Sequence, residues 1–205
     1  MTIIKRYYII DKETKFSTFE IKGKIFKMKK NMKLQTKITI LVSTVVFVSI
    51  AITIPFVAIL ITKNIENKAR TNIMNVAEII AHSTEIVTGL ETKKLNNQIE
   101  NYINIQLKNL KQIEYIIVAD KNGIRYSHPH HDIIGKKFVG GDEERAIKKG
   151  ETYISEAMGT LGKALRAFTP IYDSKSKNII GFVCVGTLSQ SVKIAKHKAL
   201  LYIII

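Results

Sequence analysis

Twenty-five consecutive residues without a charged side chain, from Ile38 to Thr62, lie between Lys37 and Lys63. A hydrocarbon layer of ~30 Å is crossed by ~20 helical residues at ~1.5 Å each, so this segment is long enough to span a membrane. Pro55 breaks a soluble helix but is tolerated in a membrane one, where neighbouring groups satisfy the freed carbonyl. A cleaved secretory signal has an apolar core of only ~7–15 residues followed by a small-residue cleavage site. Here the run is longer and no such site precedes Lys63, so a retained anchor over residues 38–62 is expected.

Charge orients the anchor. Residues 1–37 carry eleven Lys and Arg against Asp11, Glu13 and Glu20, and seven of the lysines crowd against the apolar run. The other flank, Lys63 to Arg70, mixes three basic residues with Glu66. The excess of lysine marks the cytoplasmic side. Residues 1–37 are therefore expected in the cytoplasm, with the chain after Thr62 extracytoplasmic and the whole at the cell membrane. Met32 directly precedes the anchor, so whether residues 1–31 are an upstream extension stays open.

The net charge of +15 invites a nucleic-acid reading. Much of it sits beside the apolar run, where anionic lipid accounts for it, and no recognition motif accompanies it. Membrane lipid, and not nucleic acid, is the expected partner of the basic segment. With 46% hydrophobic and 24% charged residues in 205, a packed core beyond the anchor is feasible. Cys184 is the single cysteine, set in an apolar run, so it reads as a small buried hydrophobe.

Residues 63–188 form the expected domain. Ile65, Ala69, Ile73, Val76 and Ile80 recur at helical spacing, as do Leu95, Ile99, Tyr102, Ile103 and Leu110. The period then changes. Tyr115–Ala119 reads as a strand, Asp120 to Gly123 as a hairpin turn and Ile124–Ser127 as the returning strand. A short helix over residues 142–150, acidic at its start and basic at its end, stops at Gly150. Three more strands are expected over Thr152–Ala157, Ala164–Tyr172 and Ile179–Leu188. The sum is an α+β domain, with long N-terminal helices packed on a five-stranded antiparallel sheet. Residues 189–205 end in an apolar run after Lys193, Lys196 and Lys198, the expected start of a second membrane helix, too short to cross by itself. A short buried C-terminal helix is the alternative.

Three stretches hold unusual polar residues: Arg125 to Pro129, Gly159 to Gly162 and Leu165 to Phe168. Alternate side chains share a strand face, so Arg166 and Phe168 point the same way, a cation beside an aromatic. Arg125 and Ser127 share a face of their strand, and Pro129 ends its pairing so that His128 can turn over the same pocket. Gly159, Thr160 and Leu161 supply backbone N–H groups and a hydroxyl that suit a carboxylate. Each residue has a plainer alternative. Arg125 reads equally as an exposed hairpin arginine, His128 as a loop histidine, and Phe138 and Phe168 as core. Arg166 pairs on a surface with Glu143 or Glu156 in its own alternative, at under ~1 kcal/mol. The run His128 to Asp132 lacks the spacing of a metal site, so no metal or cofactor is expected.

The order Arg-Tyr-Ser-His-Pro (125–129), Ile-Gly-x-x-Phe (134–138), Gly-Gly-Asp-Glu (140–143), Gly-Thr-Leu-Gly (159–162), Leu-Arg-Ala-Phe-Thr-Pro-Ile (165–171) and Ile-Gly-Phe-Val-x-Val-Gly (180–186) resembles the sensor domains of citrate and C4-dicarboxylate sensor histidine kinases. The resemblance runs from about Ile38 to the C-terminus and is dense from Ile113 to Gly186. It implies an extracytoplasmic PAS-like (single Cache) domain of a two-component system. It further implies that Arg125, His128 and Arg166 bind substrate carboxylates, with Thr160 and the backbone near Gly159 and Leu161 assisting. The citrate branch has Lys where Phe168 stands here. Phe168, with Phe138, resembles the C4-dicarboxylate branch, so malate, fumarate or succinate is expected ahead of citrate.

The chain as given lacks the family's kinase core, and His197 lacks the acidic neighbour of a phosphoacceptor, so this chain is not expected to be an enzyme itself. The same sensor feeding a chemoreceptor or cyclase, and a stand-alone carboxylate-binding membrane protein, are the alternatives. Pairing of the helices over residues 63–112 between two subunits makes a homodimer the expected assembly.

Overall fold

The computed structural model describes residues 33–92, 97–110, 112–159 and 161–204. The expectations placed on residues 1–32, on Leu95 and on Thr160 lie outside them. The chain divides into two compact units, one up to Pro55 and one from Phe56 onward.

Helix α1, Leu34–Ala81, begins in the first unit and contains Pro55. Its apolar part buries nothing: Leu41, Phe47 and Phe56 are each more than 60% exposed. A soluble core helix covers such side chains, and a membrane helix offers them to lipid. Four of the polar groups there are satisfied within the helix. The hydroxyls of Thr39, Thr44, Ser49 and Thr53 each donate to the carbonyl four residues earlier, at 2.7–3.0 Å. Among the described residues, one helix is long and apolar enough to cross a membrane.

In the second unit, α1 changes character. Ala69, Ile73, Val76, Ala77 and Ile80 form a buried stripe, the helical spacing expected. Helix α2, Thr84–Glu91, which the apolar pattern does not reveal, starts at Ser83, whose hydroxyl accepts the Ile86 N–H. Helix α3, Gln98–Asn109, buries Ile99 and Ile103. At Gly89 of α2 a Cβ would stand 2.7 Å from Ile99, so the two helices approach more closely than any other residue permits.

The sheet has four strands where five were expected. Strands β1 (Tyr115–Asp120), β2 (Tyr153–Gly159), β3 (Gly162–Tyr172) and β4 (Ile179–Leu188) lie in the order β1-β4-β3-β2, all antiparallel. The expected strand Ile124–Ser127 makes two isolated bridges, Ala119 with Arg125 and Ile124 with Lys137. The turn before it forms as read: Gly123 has φ +82° and Asp120 accepts the N–H groups of Asn122 and Ile124. Pairing then stops, because the Ser127 hydroxyl takes over the edge of β1. It accepts the Val118 N–H at 2.8 Å and donates to the Ile116 carbonyl at 3.1 Å. A side chain thus satisfies groups that a fifth strand would need, and Pro129 removes the next donor.

The two sheet faces differ. Ile116, Val118, Leu165, Ala167, Ile171, Val183 and Val185 pack with the buried stripes of α1, α2 and α3. The opposite face carries Tyr115, Ile117, Phe138, Tyr153, Phe168, Phe182 and Cys184, the cysteine fully buried as expected. Helix α4, Glu144–Lys149, covers part of that second face through Ala146 and ends at Gly150, which has φ +67°. Helix α5, Ser189–Ile204, follows β4 without a break. Its Lys196 reaches Glu66 of α1 at 2.7 Å.

Candidate functional site

The second face gathers the polar residues in one register row. Arg166 of β3 pairs with Gly186 of β4 and Ser155 of β2, and Gly186 pairs with Tyr115 of β1. A Cβ on Gly186 would collide with the Tyr115 ring. Glycine therefore lets that ring lie across β4 toward Arg166. Gly159 plays a similar part on β2, where a Cβ would stand 3.3 Å from Arg166 Nη1.

Arg166 is 2% exposed, so it is no surface arginine. Its partner is neither Glu143 nor Glu156 but Asp142, with 2.7 Å between Nη2 and Oδ2. Glu156 instead pairs with Lys163 at the surface. The Arg166–Asp142 contact joins one nitrogen to one oxygen, and Arg166 Nε and Asp142 Oδ1 are buried without a hydrogen-bond partner. The guanidinium also lies 5.7 Å from the Phe168 ring centroid, on the shared face anticipated from the strand pattern.

Arg125 is buried too, at 4% exposure, and is not the exposed hairpin arginine of the alternative. Its guanidinium donates to the carbonyls of Lys136 (Nε, 3.2 Å) and Lys137 (Nη2, 2.9 Å). Burial lowers its pKa somewhat without threatening an arginine's charge. A cavity of about 10 Å³, room for about one water, lies between the two arginines. Arg125, Phe138, Gly159, Leu161 and Arg166 line it, five of the eight residues expected at the site. Phe168 does not reach it. That ring is fully buried beneath, stacked on Tyr153 and edge-on to Phe138. Ser127 is turned away onto β1. Tyr115, Ile117, Val139 and Cys184 line the cavity as well, and Asp142 is held against Arg166 beside it. None of these was expected at the site from sequence. Tyr115 is the one whose position was readable, since strand alternation puts it on the face of Ile117.

His128 is 4% exposed and its Nδ1 accepts the His130 N–H at 3.0 Å. Burial, and secondarily the charge of Arg125, hold its pKa below the usual histidine value, so it is neutral at neutral pH. As pH falls below ~6.5, the unfolded chain protonates this histidine before the folded one does, and stability drops. His131, tied to Glu100 at 2.8 Å and raised by it, acts oppositely: its contribution is present below ~6.5 and fades as pH rises through its folded value. A His128→Gln variant should therefore lose less thermal stability than the parent between about pH 7 and about pH 5. Equal losses in the two proteins would remove His128 as an acid-sensitive group.

Among the described residues, no group of three or more His, Cys, Asp and Glu side chains is placed to hold a metal ion. A larger hollow of about 320 Å³ lies beside the start of α2 and Pro170 and Tyr172 of β3, but neither arginine borders it.

A four-stranded antiparallel sheet with helices on one face and a small cation-lined cavity on the other defines a PAS-like α+β sensor domain. A family model described as single Cache domain 3 matches residues 61–200, and the chain belongs to that family. It is 36% identical over 174 residues, 82% of its length, to a probable C4-dicarboxylate sensor kinase of Bacillus subtilis. It is 35% identical over 162 residues, 77% of its length, to the sensor histidine kinase DcuS of Escherichia coli. The crystal structure of the E. coli DcuS sensor domain superposes with a TM-score of 0.55 at 35% identity, covering 62% of this chain and 96% of that one. The chain spans less than a third of the length of these two curated relatives, 31% and 28%.

Proposed function

We propose that residues 63–188 are an extracytoplasmic sensor for a small C4-dicarboxylate such as malate, fumarate or succinate. Arg166 carries the reading: a buried cation, paired with Asp142, whose Nε has no hydrogen-bond partner, beside a second buried arginine. Two carboxylates need two cationic anchors, and guanidinium groups bind carboxylates through parallel, charge-assisted hydrogen bonds. Arg125 and Arg166 are the anchors. Gly159 and Leu161 line the cavity beside them, the hydroxyl of Thr160 is proposed to assist in holding a carboxylate, and His128 adds polarity beside Arg125. Phe138 and Phe168 supply the apolar wall and its support. A relative whose name specifies C4-dicarboxylate sensing adds to the case.

Citrate is disfavoured on physical grounds. Its third carboxylate needs a further cation, whereas the two arginines are already taken by two carboxylates and Phe168 offers only a ring buried among others. With the chain in lipid nanodiscs, calorimetry should give malate or succinate at least tenfold tighter than citrate. Citrate binding tighter by that factor would overturn the assignment.

Signalling in this reading passes from the cavity through β4 into α5, which continue one another at Leu188 and Ser189. The ligand biases that motion only by its differential affinity for two arrangements. Residues 38–62 serve as the membrane span, residues 1–37 lie in the cytoplasm against anionic lipid, and residues 189–205 return toward the membrane. The sensor acts within a two-component histidine kinase, as a dimer paired through its helices.

A further inference from the structure

We propose that Asp142 is an internal stand-in for a ligand carboxylate: it occupies Arg166 in the closed site and is displaced when a dicarboxylate binds. This rests on the dicarboxylate reading above and adds its regulation.

Charge is the first ground. Arg125 and Arg166 balance a dianion. With Asp142 still in place, the buried site would hold one more negative charge than positive, which a low-dielectric interior does not tolerate. Space is the second. The cavity between the arginines is about 10 Å³, far too small for a four-carbon dicarboxylate. Something must move, and the acid in contact with Arg166 is the group whose departure opens the most favourable position.

The quality of the contact is the third ground. A guanidinium and a carboxylate at 2.7 Å normally align into parallel hydrogen bonds. Here the contact joins Nη2 to Oδ2 alone, while Asp142 Oδ1 and Arg166 Nε stay unsatisfied. The pair is single-point where two parallel bonds are the norm, and a ligand free to choose its angle makes the better bonds.

The chain just before Asp142 is built for this exchange. Gly141 has φ +73°, a left-handed conformation that costs other residues strain. At Gly140 a Cβ would lie 2.6 Å from Asp142 Oδ1 and 3.2 Å from Arg166 Nη1, so only glycine admits the carboxylate there. Both glycines serve the closed arrangement, and both turn freely when the acid leaves. The residues that follow carry the movement onward. Glu143 leads into α4, and Arg145 of α4 lies 4.3 Å from the Tyr153 ring centroid, over the aromatic layer beneath the site.

The test measures succinate and malate affinity by calorimetry on the full chain in nanodiscs, for the parent, Asp142→Asn and Gly141→Ala. Removing the competing charge should tighten both ligands by about tenfold or more. Straining the closed loop while keeping the acid should tighten them by about threefold or more. A second, charge-preserving variant guards against misfolding of the first. Binding by the parent with no gain in either variant overturns the displacement and leaves the sensor reading intact. Weaker binding in Asp142→Asn, greater for malate than for succinate, overturns it in favour of Asp142 as a direct acceptor from the ligand hydroxyl. No binding by parent or variants, with all three folded, removes the dicarboxylate reading and this proposal with it.

Discussion

Replacing Arg166 with alanine is expected to weaken dicarboxylate binding by ~30-fold or more while leaving the domain folded. Truncating one partner of a buried, hydrogen-bonded charge pair costs ~2–5 kcal/mol, and each ~1.4 kcal/mol is tenfold in affinity. Loss of the guanidinium removes one of two anchors and leaves the facing ligand carboxylate desolvated and unpaired. The fold survives for a specific reason. Asp142, the partner left behind, has a side chain already 17% exposed and follows two glycines, so it can turn to water. Calorimetry gives the affinity and a circular-dichroism melt gives the fold. Unchanged affinity would remove Arg166 from the site.

The largest effect on stability is expected at Phe168. Its ring is fully buried and meets three others: Tyr153 stacked at 5.3 Å, Phe138 edge-on at 6.0 Å and Phe182 tilted at 6.0 Å. Truncating a buried phenylalanine to alanine costs ~3–5 kcal/mol through lost transfer energy and the cavity left behind. Four rings packed at near-crystalline density have little freedom to collapse into such a void. Phe168→Ala should therefore lower the denaturant midpoint by that equivalent and weaken ligand binding as the floor under Arg166 loosens. A loss under about 1 kcal/mol would mean that the ring cluster relaxes readily, and would remove Phe168 as the support of the site.

The contrast between these two residues says what could be read in advance. Strand alternation places Arg166 and Phe168 on one face, and the structure agrees. Alternation does not say how far each side chain reaches. The guanidinium extends to the cavity, whereas the shorter ring stays in the layer below it. Ser127 fails in a similar way. Its register puts it beside Arg125, but its hydroxyl bonds the free edge of β1 and ends the strand that the register assumed.

Local rules, each confined to a few neighbouring residues, were enough for the uncharged run at 38–62, the helical stripe from Ala69 to Ile80, the turn at Asp120 to Gly123, the stop at Gly150 and the bounds of β4. Length, periodicity and turn chemistry are properties of the chain itself, so the amino-acid order determined them. The tertiary structure decided the strand order β1-β4-β3-β2, the close approach of α2 to α3 at Gly89, the reach of Tyr115 over Gly186 and the burial of Asp142 against Arg166. These join residues far apart in sequence. Their energies depend on desolvation and on which charge has no other partner nearby, quantities that exist only once the chain has closed on itself.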